Sequence, residues 1–593
     1  MASSANTTEI RIKGIGVSPG IAIAPVQMIG SRFEEPESHP IVADGATAEK
    51  LRLQAAITTT RVQISALREQ IDETVGSDHA GIFDAHLLVL DDATVLEEVV
   101  RTIDSRQINA ESAYYTVINR YLESLRKIAD PYLRERAIDI EDVARRVLRN
   151  LRWPSGGGME GIRALDLSNA CVLVTHELTP SDTVGLDRER VLGFATEAGS
   201  ATSHTAIMAR SLNIPAVVAV RDLLDRVHPG APALIDGYHG LVILYPNEET
   251  LEEYRALKKR EGQLLKKLRK LRDAETATAD GRRITLSANI EFIEELPMVK
   301  AQGAEGVGLY RTEFFYLNES ELRSEDKQAE NYTLAAESLK PHGVIIRTLD
   351  VGGDKLFPEH FDEPEPNPFL GWRGIRVSLA RPEVFKQQLR AILRASAHGK
   401  VGVMYPFLSC IEEVRGANKL LDESKLELDR AGIAFDPDIE VGAMIEIPSA
   451  AIMADAFAAE VDFFSIGTND LIQYTTAVDR INERVADLYQ PTHPAVIRLI
   501  RDIIAAAHRN QIWAGVCGEI AGDVLLTPLL IGAKVDELSV GAAQILRVRS
   551  AVSRLDSGAC EAFLNEALKL SEASAVADLC RELAREKYQE LID

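Results

Sequence analysis

Eight short β-like runs in the second half of the chain constrain its fold more than any other feature. Each run is followed by a stretch long enough for a helix. The runs lie at Ile284–Asn289, Val307–Tyr310, Val344–Leu349, Val401–Tyr405, Val441–Ile445, Asp462–Ile466, Ile512–Val516 and Glu537–Val540. Eight β/α repeats over about 310 residues predict a (β/α)₈ barrel. An open doubly wound sheet is the alternative, because periodicity alone does not close a barrel.

The first half predicts a different, mixed α/β organisation. Short apolar runs punctuated by glycine and proline predict a small α/β domain over residues 10–45 and 152–245. Between these segments, at 46–151, glycine and proline are scarce and apolar residues recur at helical spacing, which predicts an inserted bundle of about four helices. Residues 246–275 are charge-rich with leucines at helical spacing and predict a single linker helix. Residues 276–593 then form the barrel domain.

Composition excludes several classes of protein. The 593 residues carry a formal charge of −24, which disfavours broad contact with nucleic acid or anionic lipid. The five cysteines are widely spaced and form no CxxC pair, which fits a reducing cytosol and no disulfide framework. No signal peptide and no apolar run of ~20 residues is found. We therefore expect a soluble cytoplasmic protein with no nucleic-acid partner and no membrane insertion.

Polar residues close five of the eight runs, and a barrel places its chemistry at the C-terminal ends of its strands. They are Arg311 after the second run, Arg347, Asp350 and Lys355 in and after the third, Glu446 after the fifth, Asn469, Asp470 and Arg480 after the sixth, and Cys517 and Glu519 after the seventh. Carboxylates from two strands suit Mg²⁺, and arginine forks suit phosphate and carboxylate groups. The implied ligand is a small, doubly anionic phosphate ester. Each group also has a structural alternative, since a strand-end carboxylate can cap a helix and an apolar-flanked cysteine can belong to the core.

A second candidate site surrounds His204 in the first half. Small and hydroxyl-bearing residues precede it from Gly199, and an apolar, helix-like run follows it to Arg210. A histidine at a helix start, among hydroxyl and backbone N–H groups, can carry a phosphoryl group stabilised by the helix dipole. The alternative, from spacing alone, is that His204 only caps the helix.

Several motifs resemble those of the phosphoenolpyruvate-utilising enzymes. They lie at residues 202–212, 308–314, 350–355, 367–376, 463–471 and 516–519. Over its whole length the chain is similar to the Enzyme I family of the bacterial phosphoenolpyruvate–sugar phosphotransferase system. One departure is visible, because Ser200-Ala201 stands where the family has glycine followed by arginine or lysine. It leaves open how the charge of a phosphohistidine is balanced.

The resemblance implies a role for each matching residue. His204 is the phosphohistidine, which forms a hydrogen bond with Thr183, and Cys517 donates a proton to the methylene carbon of the departing enolate. Glu446 and Asp470 hold Mg²⁺. The residues that bind phosphoenolpyruvate are Arg311, Arg347, Asn469, Asp470 and Arg480, with Arg373 and Lys355 as supporting cations.

The family's activity is Mg²⁺-dependent autophosphorylation by phosphoenolpyruvate, which yields pyruvate, followed by phosphoryl transfer to a histidine of the carrier protein HPr. The resemblance also implies HPr docking on the helical domain, where Asp84, Asp91 and Asp92 can meet a basic partner, and a homodimer formed through the barrel. A nucleotide-dependent dikinase or synthase is disfavoured, because only about 200 residues precede His204 and no GxxxxGK[ST] loop occurs. A non-catalytic regulator is disfavoured because the mapped site residues are intact.

Overall fold

A computed structural model of the chain describes residues 8–28, 35–41, 45–74, 83, 86–126, 131–152, 170–176, 178, 190–199, 209, 214–313, 324–352, 367–479, 482 and 484–592. It divides into two compact units, Met1–Arg260 and Glu261–Asp593. Within the described ranges, no helix combines the length and the apolar character needed to cross a membrane.

The first unit contains an eight-stranded sheet with the order β1-β8-β7-β3-β4-β5-β6-β2. The strands are β1 Ile10–Lys13, β2 Ile15–Ser18, β3 Ile21–Met28, β4 Cys171–Thr175, β5 Val191–Thr196, β6 Ala216–Val218, β7 Pro232–Asp236 and β8 Leu241–Leu244. Strands β3 to β6 are parallel neighbours. Alternate residues of β4 enter two separate apolar clusters, Val172 in one and Leu173 in the other. Both faces of these strands are therefore covered, which explains their continuous apolar sequence.

Within the described residues, four long helices lie between β3 and β4 in the sequence. They span Gly45–Thr74, Ala93–Arg106, Ala110–Arg126 and Pro131–Arg152. They share an apolar core that includes Leu53, Val99 and Val147. Strands β3 and β4 pair directly, with Val26 opposite Val172. The helices therefore interrupt the sequence of the sheet without separating its strands.

The second unit contains a closed parallel barrel of eight strands in the order β10-β11-β12-β13-β14-β15-β16-β9. The strands are β9 Thr285–Ile290, β10 Val307–Tyr310, β11 Val344–Arg347, β12 Val401–Tyr405, β13 Glu440–Ile445, β14 Phe463–Ile466, β15 Trp513–Val516 and β16 Glu537–Gly541. Each overlaps one predicted run. Pairing of β16 with β9, with Val540 opposite Ala288, closes the barrel. The predicted (β/α)₈ barrel is confirmed, and the open-sheet alternative is wrong.

Helices surround the barrel and connect its strands. Those of six or more residues span Leu296–Ala301, Glu325–Ser338, Ile375–Ala380, Pro382–Ser396, Ile411–Ala431, Thr468–Thr476, Pro494–Arg509, Thr527–Gly532, Ile545–Val552, Ser557–Ala567 and Ala573–Tyr588. A further helix, Glu248–Leu268, falls within the segment predicted to be one linker helix. The barrel strands and their helices share one large apolar core. A smaller cluster, with Met404, Met444, Phe463 and Cys517, is separate from it.

One carboxyl group, that of Glu537 at the start of β16, is buried inside the barrel. Ser287 of β9 donates a hydrogen bond to its Oε1. Glycines on two other strands leave it room, because a Cβ on Gly308 would lie 2.9 Å from Oε1 and one on Gly515 would lie 3.2 Å from Oε2. Burial raises the pKa of Glu537 to about 7 despite the Ser287 hydrogen bond.

Replacing Glu537 with Gln should stabilise the barrel in a pH-dependent way. The folded state favours the protonated carboxyl, so native stability falls as pH rises from about 4.5, the ordinary pKa, to about 7. A permanently neutral Gln avoids this loss. Urea unfolding followed by tryptophan fluorescence should show little difference at pH 4 and an advantage of up to about 3 kcal/mol at pH 8. Exposed Glu566→Gln is the control, and an advantage independent of pH would contradict the assignment.

Candidate functional site

The C-terminal ends of neighbouring strands bring five predicted site residues to one end of the barrel. Arg311 follows β10 and Arg347 ends β11, while Glu446 and Cys517 follow β13 and β15. Asp470 lies in the first turn of helix Thr468–Thr476, which follows β14. The charges of these groups influence one another, because Glu446 and both arginines shift the pKa of the Cys517 thiol.

A buried network of alternating charges forms the floor of this site. Arg347 donates to Glu313 Oε1 at 2.5 Å, and its Nη1 lies 3.2 Å from Asp350 Oδ2. Arg373 donates to Asp350 Oδ2 and to Asp470 Oδ2, both at 3.0 Å. All five side chains are buried or nearly so. Two guanidinium groups thus join three carboxylates taken from separate segments of the barrel.

Glu446 adds a fourth carboxyl group to the site. It is 2% exposed, and its Oε1 accepts a hydrogen bond from the backbone N–H of Phe407 at 2.7 Å. Burial is the largest cause that raises the pKa of Glu446, followed by the negative charges of Asp470 and Asp350. The positive charges of Arg347 and Arg373 oppose this rise without cancelling it.

Among the described residues, the buried part of the site therefore holds four carboxyl groups, Glu313, Asp350, Asp470 and Glu446, against the two guanidinium groups of Arg347 and Arg373, and this donor set fits a divalent cation. Glu446 and Asp470 come from adjacent strands, and the mutual repulsion that raises the Glu446 pKa is what a bound cation relieves. Carboxylate oxygens are the ligands that Mg²⁺ prefers. The described residues contain no group of three or more potential metal ligands. Substrate oxygens and water would complete the coordination, as Mg²⁺ commonly requires.

Phe407 is a site residue that the sequence reasoning missed. Its ring lies 4.3 Å from the guanidinium of Arg373 and 5.0 Å from that of Arg376, within the range of cation–π attraction. Its backbone has φ +58°, a conformation that bulky residues rarely adopt. Gly374 permits the close packing, because a Cβ there would lie 2.6 Å from Phe407 Cβ. Through its N–H and its ring, Phe407 contacts Glu446 and the arginine that binds Asp470.

Arg311 and Asn469 lie at the more exposed rim. Arg311 is paired with Glu291 at 2.7 Å, and its side chain is 31% exposed. Asn469 donates to Glu519 Oε1 at 3.2 Å and accepts from the Glu519 backbone N–H at 3.0 Å. Glu519, one of the strand-end residues singled out from the sequence, therefore fixes the orientation of the Asn469 amide group. Both rim groups are thus held by a carboxylate-bearing residue at the edge of the site.

Cys517 is buried directly beyond the end of β15. Its thiol donates to the carbonyl of Ile466 at 3.6 Å, and its backbone N–H donates to the same oxygen at 3.1 Å. Burial raises the pKa of Cys517 to about 11, which outweighs the lowering effects of Ser465, Arg347 and Arg311. The thiol is therefore protonated at neutral pH, as a proton donor must be.

Four predicted site residues lie outside the described residues. These are His204, Thr183, Lys355 and Arg480. Glu313 was missed as a site residue although it lies in the motif that contains Arg311, so a signal for it was present. The structure brings the remaining predicted residues Arg311, Arg347, Arg373, Glu446, Asn469, Asp470 and Cys517 to the same end of the barrel.

Comparison with known proteins identifies relatives along almost the whole chain. Three segments match the PEP-utilising enzyme family: its N-terminal domain at 13–136, its mobile domain at 167–240 and its PEP-binding domain at 265–557. The phosphoenolpyruvate-protein phosphotransferase of Staphylococcus carnosus (strain TM300) is 42% identical over 97% of this chain and 99% of its own. Those of Streptococcus equinus and Bacillus subtilis (strain 168) are also 42% identical, over 96% of this chain and 98% and 99% of theirs.

Alkylation should distinguish Cys517 from a reactive thiolate. With a pKa of about 11, about one thiol in a thousand is ionised at pH 8. Iodoacetamide at pH 8 should therefore modify the exposed Cys410 long before Cys517, with sites and rates read by peptide mass spectrometry. Labelling of Cys517 should accelerate about tenfold for each pH unit above 8 and level off only above pH 11. Rapid labelling of Cys517 at pH 8 would show that its pKa is lowered.

Proposed function

Since this chain belongs to the phosphoenolpyruvate–protein phosphotransferases of the PEP-utilising enzyme family, we propose that it is the general phosphotransferase of a sugar phosphotransferase system. The family resemblance read from the motifs is thereby confirmed. In the proposed reaction His204 attacks the phosphorus of phosphoenolpyruvate, pyruvate is formed, and the phosphoryl group then passes to a histidine of an HPr-type carrier. The observation that carries the proposal is the cluster of arginines, carboxylates and the Cys517 thiol at one end of the barrel.

Substrate binding is proposed to use the cations at the barrel mouth. Arg347 and Arg373 are buried and held by carboxylates, so their forks are preorganised for an anionic ligand. Arg311 at the rim can exchange Glu291 for a substrate group. Asn469, Asp470, Arg480 and Lys355 complete the proposed binding set by resemblance.

A divalent cation is proposed to be held by Glu446 and Asp470. When bound, it supplies positive charge that neutralises the phosphate and orients the substrate. The chain's own contribution is to keep these two carboxylates in place. Phe407 N–H holds Glu446, and the guanidinium of Arg373 holds Asp470.

Cys517 is proposed to protonate the methylene carbon of the substrate. As the bond between phosphorus and the enol oxygen breaks, a bond to the His204 nitrogen forms and an enolate is left. The Cys517 thiol then gives its proton to carbon, which produces pyruvate, and the thiolate regains a proton from solvent. The pKa of about 11 keeps the proton on sulfur until the enolate develops.

The helical segment is proposed to dock the carrier protein. Leu88 and Val62 of this segment are 76% and 65% exposed, so apolar surface is available to a partner. Asp91 pairs with Arg61, whereas Asp92 caps helix Ala93–Arg106 through the N–H groups of Thr94 and Val95. Asp92 thus has a structural role, and Asp84 lies outside the described residues. A homodimer through the barrel and a cytoplasmic location stay predictions from the resemblance.

Incubation with radiolabelled phosphoenolpyruvate and Mg²⁺ should label His204. A phosphoramidate is stable in base and labile in acid, so the label should share both properties. His204→Ala should abolish labelling yet retain phosphoenolpyruvate binding, measured by calorimetry. The matched control is His228→Ala, which should label normally. Label that persists in His204→Ala would overturn the assignment.

The same labelled protein tests the second half-reaction. Purified HPr should remove the label from His204 and acquire it on a histidine. Adding AMP, ADP or ATP should change neither the labelling nor the transfer. A requirement for nucleotide would favour the dikinase class instead, and failure to transfer would exclude the carrier assignment.

Cys517→Ser should separate binding from proton transfer. Serine keeps a hydrogen-bonding group but is a far weaker acid than a thiol, so pyruvate formation should fall by about 100-fold or more. Mg²⁺-dependent binding of phosphoenolpyruvate should be unchanged. Cys410→Ser, at an exposed cysteine, is the control. Near wild-type pyruvate formation in Cys517→Ser would exclude the donor role.

A further inference from the structure

A set of polar side chains lines the barrel interior next to Cys517. The amide of Asn289, near the end of β9, donates from Nδ2 to the Cys517 carbonyl at 3.0 Å. Ser539 of β16 donates in turn to Asn289 Oδ1 at 2.6 Å. Nearer the start of the same two strands, Ser287 donates to Glu537. We call these four residues, Asn289, Ser539, Ser287 and Glu537, the interior polar column.

The neighbouring strand leaves space for this column. A Cβ on Gly308 of β10 would lie 2.7 Å from Ser539 Oγ and 2.9 Å from Glu537 Oε1. Any larger residue would therefore displace both side chains. The column holds two separate groups of hydrogen bonds: Ser287 to Glu537 near the start of the strands, and Ser539 to Asn289 to the Cys517 carbonyl near their end.

Asn289 completes the attachment of Cys517 to the barrel. Strand β15 ends at Val516, so Cys517 is the first residue beyond its strand. On one side its N–H donates to the Ile466 carbonyl at 3.1 Å. On the other side its carbonyl accepts the hydrogen bond from Asn289. The next residue, Gly518, is also constrained, because a Cβ there would lie 1.9 Å from Thr468 Oγ1.

We propose that Asn289 is a positioning residue for the proton donor, holding the Cys517 carbonyl so that the thiol faces the substrate carbon. The inference rests on the proposed function of Cys517. A displacement of about 1 Å in a reacting group can cost about 100-fold in rate. An amide suits this position because it donates to one partner and accepts from the other.

Asn289→Asp is a nearly isosteric test of this role. A carboxylate cannot donate to the Cys517 carbonyl, so two acceptors would face each other. With phosphoenolpyruvate, Mg²⁺ and carrier protein present, kcat for pyruvate formation should fall about 10- to 100-fold. KM for phosphoenolpyruvate should stay within about twofold. The ratio of rates in H₂O and D₂O should rise, because proton transfer becomes rate-limiting.

Two further variants grade the effect. Ser539→Ala removes the hydrogen bond that orients Asn289 and should lower kcat by about three- to tenfold with the same rise in isotope effect. It supplies the test if Asn289→Asp does not fold. Ser287→Ala removes the hydrogen bond to Glu537 and keeps the hydrogen bond from Asn289 to Cys517. This variant should leave kcat and the isotope effect unchanged. Mg²⁺-dependent binding of phosphoenolpyruvate verifies that each variant has an intact barrel mouth.

The outcomes separate this inference from the proposed function. If Cys517→Ser loses pyruvate formation while the folded Asn289→Asp has a normal kcat or an unchanged isotope effect, the positioning role is wrong and the donor role stands. A rise in KM that accounts for the whole loss also contradicts positioning. If Cys517→Ser itself forms pyruvate normally, the proposed donor role fails first.

Discussion

The buried contact of Arg373 with Asp350 and Asp470 is the interaction on which the rest of the site depends. Removing one member would leave an uncompensated charge in a low-dielectric interior, which commonly costs about 3–5 kcal/mol. The contact holds Asp470, one of the two predicted metal ligands, and Asp350 also pairs with Arg347. The charges of this network act on the other predicted ligand, Glu446, and shift its pKa. The described, buried part of the site contains more carboxyl groups than guanidinium groups, and this excess of negative charge favours the binding of a cation.

Phe407 shows how the fold maintains that network. A left-handed backbone at a bulky residue costs about 1–3 kcal/mol and persists only where the surroundings enforce it. Here the same residue places its N–H on Glu446 and its ring against Arg373 and Arg376. The strained backbone therefore coincides with contacts to both Glu446 and Arg373.

Local sequence patterns predicted the barrel well and the contacts inside it poorly. Buried parallel strands are short continuous apolar runs, and the polar residues that end them must meet at one end of a closed barrel, so Arg347, Glu446 and Cys517 could be placed together in advance. The roles of Phe407 and Asn289 could not be predicted, because each depends on a hydrogen bond to a residue far away in the sequence. Phe407 bonds Glu446, 39 residues away, and Asn289 bonds Cys517, 228 residues away. Neither a positive φ nor a cross-barrel hydrogen bond has a local sequence signal.

The charge of the barrel mouth favours a thiol as the proposed acid. A carboxylic acid at position 517 would join four buried carboxyl groups, and its ionised form would repel a doubly anionic substrate. A thiol with a pKa near 11 is neutral before the reaction and adds no charge to the site. Once it has given up its proton, the resulting thiolate lies within the influence of Arg347 and Arg311, both of which favour the ionised form. In the proposed reaction, burial would therefore keep the proton on sulfur in the resting state, and the arginines would stabilise the thiolate once the enolate takes the proton.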